Sequence, residues 1–390
     1  SKGAVNHPDL KTCIANLERY MPEMMPTYHR LCKLAGNDPI AARFLTGFQP
    51  PAYISGCSQA VWKQTPMLVR NYDYHPHLSE GTLLQSTWNG KKVIATGDCL
   101  SGVVDGMNDH GLVASLTFGG RKVVGKGFGI PFILRYVLEF CSDVEEGVKT
   151  LCRIPCHMAY NVMLLDKTSS FKMVQLSPDH PPLITDTPVS TNHQRKIDWP
   201  EHAKFSKTVE REDFLLEQLS KPQQNAPGIA DAFLLAPLFN RRYNDGFGTI
   251  YTAVYKPLEG SMELRWPEKT LHQSFADFKE SNINITYTEK VQAPLPVYDE
   301  PVYADIGTPS SYEDANYWVD YGKSWATGNH SQLAGQVAKT IVDSVGLADK
   351  IDVNKLIEKF TIEEKRRGQI PWEMLADVWA NIGNYYKNEN

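Results

Sequence analysis

Ser55-Gly56-Cys57-Ser58-Gln59-Ala60, with Met67-Leu68-Val69-Arg70-Asn71-Tyr72-Asp73 close behind it, marks the point where the chain changes texture. Before it, residues 1–50 space apolar side chains helically (Leu10, Ile14, Leu17, then Tyr28, Leu31, Leu34) between Pro22, Pro26, Pro39, Pro50 and Pro51. That pattern predicts two or three short helices. From Ala52 onward the chain becomes a series of short β-rich runs at 67–70, 83–88, 92–95 and 111–118, punctuated by Gly, Asn and Asp. Runs of this length separated by turn residues predict antiparallel hairpins.

Two helices are expected next, over 131–140 and after Ser142, where Ser142 and Glu145 fit a capping box ahead of Val148 and Leu151. Strands resume at 161–165 and 171–176, and 211–239 is helical again. Residues 248–255 and 261–266 read as a hairpin closing over Pro257-Leu258-Glu259-Gly260. Strands, helices, strands, then helices and strands describe an α+β sandwich. Residues 292–312, rich in Pro, Asp, Glu and Tyr without a period, predict an extended linker. Beyond them 313–390 carries helical spacing, as in Leu333, Val337, Ile341 and Val345, and predicts a helical C-terminal extension. The organisation expected is therefore a helical leader at 1–56, a core at 57–291, the linker and the extension.

Composition narrows the partners. Forty basic and 45 acidic residues give a formal charge of -5 with no basic stripe, which argues against a nucleic acid or an anionic membrane and for a small-molecule or peptide-like substrate. No apolar run approaches the roughly 18–20 residues of a membrane span, and Ser1-Lys2-Gly3-Ala4 has no apolar signal-peptide core. The chain reads as soluble, in the cytoplasm or exported with a signal peptide already removed. Seven cysteines are too few and too irregular for a disulfide scaffold, and Cys152-Arg153-Ile154-Pro155-Cys156-His157 has neither zinc nor haem spacing. No cofactor or metal is implied, and homo-oligomer formation stays open.

Taken alone, Cys57 after a small residue reads more readily as a buried core thiol than as a nucleophile. Its company is more specific. Cys57-Ser58-Gln59-Ala60, Arg70-Asn71-Tyr72-Asp73, Asp105-Gly106-Met107-Asn108-Asp109-His110-Gly111-Leu112 and Ser190-Thr191-Asn192-His193 resemble, in order, the motif series of the choloylglycine hydrolase and penicillin acyltransferase families. The resemblance covers roughly residues 54–270. It implies the N-terminal nucleophile fold, a four-layer αββα sandwich with a helical leader and a helical C-terminal extension. It also implies a chain that cuts itself at Gly56-Cys57 and then acts on linear N-acyl amides. Transfer of the acyl group to an amine, and a catalytically silent binding protein on the same fold, are the alternatives.

Chemistry gives each position a reason beside that resemblance. An N-terminal Cys57 would carry its own base, an α-amine with a pKa of about 8. Asp73 would hold the ammonium form, and Arg70 would lower the thiol pKa. Asn192 would donate to the oxyanion without titrating. Gly56 would give backbone freedom to a strained scissile turn. Asp105 to Leu112 reads as shape, with Asn108 to Gly111 forming a tight turn. Thr117 stands where bile-salt hydrolases carry an oxyanion-assisting Asn, and one of Arg241, Arg242 or Arg265 would supply the late arginine of these families. His193 invites a His-base reading that the resemblance assigns to the amine instead. Gly120-Arg121-Lys122-Val123-Val124-Gly125-Lys126-Gly127 approaches a phosphate loop but lacks its final Ser or Thr, and reads as a loop over the site.

Overall fold

The cysteine-bearing stretch and the run after it form one hairpin. In the computed structural model, which describes residues 8–287 except 51, 53, 244 and 246, β1 (Gly56–Trp62) pairs antiparallel with β2 (Met67–Tyr74). Cys57 stands opposite Tyr72, and Gln59 opposite Arg70. The other edge of β2 pairs with β12 (Phe247–Lys256), so β2 is central to its sheet. The sheet runs β10 (Val189–Ser190), β1, β2, β12, β13 (Ser261–Trp266), β14 (Lys269–Ser274), with β11 (Arg241–Arg242) on β12.

A second antiparallel sheet follows chain order: β3 (Thr82–Ser86), β4 (Val93–Asp98), β5 (Gly102–Asn108), β6 (Val113–Phe118), β7 (Tyr160–Leu165), β8 (Phe171–Leu176) and β9 (Leu183–Thr185). Side chains alternate across each strand and so sort into layers. Val61, Leu68 and Tyr72 of the first sheet meet Ile94, Met107, Val113 and Met163 of the second. The outer face of the second sheet (Ala114, Leu116, Val162, Leu164) is covered by α1 (Leu10–Tyr20), α2 (Met25–Leu34), α4 (Ile130–Phe140) and α5 (Val144–Arg153). The outer face of the first (Ala60, Val69, Val254) is covered by α7 (Thr208–Ser220) and α8 (Ala226–Ala232). The result is the four-layer αββα sandwich expected.

The leader folds as α1, a 3₁₀ turn at Pro22–Met24, α2 and α3 (Pro39–Phe44). Asp9 and Asp38 cap α1 and α3 by accepting from Thr12 N and Ala41 N, each at 2.7 Å. Cys13, Leu17, Tyr28 and Cys32 join the core of the second sheet, and Tyr136 of α4 donates to Glu23.

Two details differ from expectation. The cap of α5 is Asp143, one residue later than expected: its carboxylate accepts from Glu146 N (2.9 Å) while the Glu146 carboxylate accepts from Ser142 N (2.8 Å). This register turns Val144, Gly147 and Leu151 into the core. A further helix, α6 (Pro200–Ser206), and the edge strands β9 and β14 have no strong period in the sequence, because they are short and half exposed. The chain divides into two units, Ser1–Tyr312 and Glu313–Asn390; all described residues belong to the first, and the linker and helical extension expected at 292–390 lie outside them. Among the described residues no helix is long and apolar enough to cross a membrane.

The β5–β6 turn ties the second sheet to its helices. Gly111 has φ +89, and fully buried Asn108 donates to Leu138 O (2.9 Å) and Cys141 O (2.7 Å) at the end of α4 while accepting from His110 N and Leu112 N. Asn108→Ala leaves these groups unpaired at about 1–3 kcal/mol each for the buried ones. We expect a loss of about 2–4 kcal/mol, seen as a lower urea midpoint with unchanged slope.

Candidate functional site

Gly56 opens β1 in extended conformation, opposite Asp73, and not in a turn. Its need for glycine is space: a Cβ there would lie 2.1 Å from the Phe247 ring and 2.9 Å from Asp73 Cβ. The expectation of a strained turn is corrected accordingly, since a paired strand needs no unusual φ but this close approach excludes any side chain.

Cys57 follows, fully buried, and is held on three sides. Its Sγ lies 3.1 Å from Arg70 Nη2 and 3.7 Å from Ser55 Oγ. Its N–H donates to Asn192 Oδ1 at 3.0 Å, and its carbonyl accepts from Arg211 Nη1 at 2.7 Å.

Arg70 projects from β2 into the space between the sheets and is itself fully buried. Its Nε donates to Leu116 O (3.1 Å), and its Nη1 pairs with Asp105 and donates to Tyr251 Oη (3.2 Å). Asp105 also accepts from Tyr251 (2.9 Å) and Tyr255. Asp105 thus does more than the turn-shaping expected of its motif, because it is the counter-ion that lets Arg70 sit in a dry interior.

Arg211, on α7, anchors the opposite face of the sheet. Its guanidinium reaches Cys57 O, Ser58 Oγ (2.7 Å), Asp73 Oδ2 (3.4 Å), Asn192 Oδ1 (2.6 Å) and Ser206 O (2.7 Å). Asp73 Oδ1 accepts from Thr249 Oγ1 at 2.6 Å. Asn192 Nδ2 donates to Phe118 O (3.2 Å) and Ser55 O (3.4 Å). The Cys57 N–H is therefore received by Asn192, while Asp73 is engaged with Arg211 and Thr249.

Burial pushes the Cys57 thiol up from its ordinary value; the Arg70 cation opposes this and Asp73 adds to it. Burial likewise pushes Asp73 up, against the pull of Arg211 and the Thr249 hydroxyl, and pulls Arg211 down against Asp73. The upward direction favours the neutral thiol, so nucleophilic use of it calls for a base.

The remaining candidates are placed as follows. Thr117 bonds to Ser190 Oγ (2.9 Å) and Thr191 O (2.9 Å) and accepts from Asn161, bracing the segment that leads into Asn192. Arg241 is half-buried with its guanidinium 5.5 Å from the Phe239 ring centre, and Arg265 pairs with Asp231 (2.6 Å). Arg242 stacks on Phe247, the ring that packs against Gly56, and acts on Asp73 electrostatically. His193 contacts Glu212 (3.1 Å) and Thr208 (3.0 Å). Gly120, φ +65, lets the backbone pass Asn192 O, which a Cβ would meet at 2.2 Å, so this glycine serves close packing. Among the described residues no group of three His, Cys, Asp or Glu could hold a metal.

Sequence reasoning misses Arg211. It stands in the charged run Glu210-Arg211-Glu212-Asp213, which reads as a solvated helix face. The available signal is spacing: Thr208, Arg211 and Leu215 are the buried positions of α7, three and four residues apart.

A family model, acyl-coenzyme A:6-aminopenicillanic acid acyl-transferase, matches residues 62–271, more than half of the chain. A search of curated protein sequences returned no match. Solved structures resemble the chain at low identity. A mutant conjugated bile acid hydrolase from Clostridium perfringens is 13% identical, with TM-score 0.40 over 60% of this chain and 99% of that one. Penicillin V acylase from Agrobacterium tumefaciens is 14% identical, with TM-score 0.41 over 57% and 86%. A Caenorhabditis elegans N-acylethanolamine-hydrolyzing acid amidase ortholog is 14% identical, with TM-score 0.39 over 52% and 93%.

Removing Arg211 strands a buried carboxylate and two carbonyls. Arg211→Met is expected to cost about 3–5 kcal/mol of stability in urea unfolding. Arg211→Lys should recover only part of this, because one ammonium cannot span the acceptors that the planar fork reaches.

Proposed function

The chain belongs to this acyl-transferase family, and from that premise we propose that it is a self-processing amidohydrolase of linear N-acyl amides with Cys57 as nucleophile. The observation that carries the reading is the convergence on one residue of Arg70 at the Sγ, Asn192 at the N–H and Arg211 at the carbonyl.

In the first step Cys57 Sγ attacks the Gly56 carbonyl carbon, the C–N bond to Cys57 breaks, and the thiol proton ends on the departing nitrogen. Water then hydrolyses the Gly56 thioester. This frees a Cys57 α-amine with a pKa of about 8, able to take the thiol proton in later turnovers and return it to the leaving amine. Asp73, opposite Gly56 in the strand register, would hold the ammonium form. Asn192 Nδ2 has both protons engaged while Ser55 is attached; departure of that residue frees one toward a substrate oxyanion. Release of the acyl group to water makes a hydrolase, and release to an amine makes an acyltransferase.

Intact mass and N-terminal sequencing test the first step. Wild type should give a fragment beginning at Cys57, and Cys57→Ala should stay whole. An uncut wild-type chain whose Cys57 resists alkylation would end this reading and favour the silent binding protein. In processed enzyme, Asn192→Ala should lower kcat about 10²- to 10³-fold on an N-acyl anilide.

A further inference from the structure

Gln59, Ser115 and Asn161 are fully buried and carry polar atoms with no hydrogen-bond partner among the described residues: both amide atoms of Gln59, Ser115 Oγ and Asn161 Oδ1. Strand alternation turns all three into the space between the sheets. Gln59 lies between Cys57 and Val61 on β1, Ser115 follows Val113 on β6, and Asn161 precedes Met163 on β7; Cys57, Val61, Val113 and Met163 all belong to the core between the sheets. A buried polar group left dry is costly, and native interiors hold few of them. Three together on one layer point to a ligand.

The register places them around the reactive cysteine. Gln59 stands in one row with Arg70 on β2 and Ser190 on β10, and Ser115 stands opposite Asp105 on β5. The orphaned groups thus flank the Arg70–Asp105 pair from both sheets, and Arg70 is the residue that meets Cys57 Sγ. Polar side chains continue away from that pair. Thr117 Oγ1 spans the sheets to Ser190 Oγ at 2.9 Å, and Asn161 Nδ2 donates to Thr117 Oγ1 at 3.1 Å. Opposite Asn161 on β8 is Gln175, 6% exposed, where the row reaches solvent.

The orphaned atoms select the ligand by their chemistry. Gln59 Nε2 donates, Gln59 Oε1 and Asn161 Oδ1 accept, Ser115 Oγ does either, and none is charged. An ion would satisfy one kind and leave the other unpaired, whereas water donates and accepts and makes about three such bonds inside proteins. We propose that Gln59, Ser115 and Asn161 hold internal waters, and that Gln59 is a positioning residue that directs one of them to the acyl group carried by Cys57. The inference rests on the amidohydrolase reading and bears on its choice between water and amine. In the releasing step the water oxygen bonds to the thioester carbonyl carbon and the C–S bond breaks. The acyl group leaves as a carboxylic acid, and one water proton passes through the α-amine to the sulfur.

The test compares the full chain with Gln59→Met and Ser115→Ala, which remove the polar atoms with little change of volume. A crystal structure of wild type should show water within about 3.2 Å of the Gln59 amide and of Ser115 Oγ. Thermal unfolding separates a wet site from a dry one, because deleting a dry orphan raises Tm and deleting a hydrated group lowers it. A lower Tm is expected in both variants. With hydroxylamine competing against water for the acyl group of hexanoic acid 4-nitroanilide, the hydroxamate-to-acid ratio should rise about three- to tenfold in each variant, the scale of one lost hydrogen bond. No water at these groups, or a higher Tm in either variant, overturns the site whatever the activity. An unchanged ratio in active variants removes the role in acyl release. Ordered water that the variants lose, in a chain that neither cuts itself nor hydrolyses the anilide, upholds the site and removes the amidohydrolase reading.

Discussion

The Arg70 guanidinium has no contact with solvent, and a charge in that position must find every partner inside the protein. It finds them on both sheets: Leu116 O and Asp105 from the second, Tyr251 from the first. The separation and registry of the sheets at this level are thereby set, and with them the place of the nitrogen that meets Cys57 Sγ. A buried pair of this kind adds little over an apolar core of equal volume, while removal of one member costs about 3–5 kcal/mol. Its contribution is position.

Arg211 supplies the matching constraint from the helical side. The start of β1 is gripped from both faces, with side chain, N–H and carbonyl of Cys57 each given a partner that is itself buried. Orientation of this kind is what the proposed attack of the thiol on an amide requires. Gly56 completes it by allowing Phe247 and Asp73 to close on the backbone with no side chain between them.

Much of the fold is legible because its signals are local. The hairpin runs, the turn at Asn108 to Gly111 and the leader helices broken by Pro22, Pro26 and Pro39 each announce themselves within a few residues. Cys57, Arg70, Asp73 and Asn192 are legible as a set through the ordered motifs, and the structure brings them into one cluster. Arg265 and Thr117 show the limit of that approach. The first is drawn off by Asp231, and the second by Ser190 and Thr191.

What the sequence by itself determines is the α+β layering and the candidate residues for chemistry, since period, turn type and motif order are properties of neighbouring positions. Tertiary structure alone decides who partners them. Arg211 lies 154 residues from Cys57, and Arg70 lies 35 from Asp105; Asn192 meets Cys57 across 135. Which arginines become buried depends on the cost of desolvating a guanidinium, and that cost is offset only where the folded chain offers enough acceptors at once.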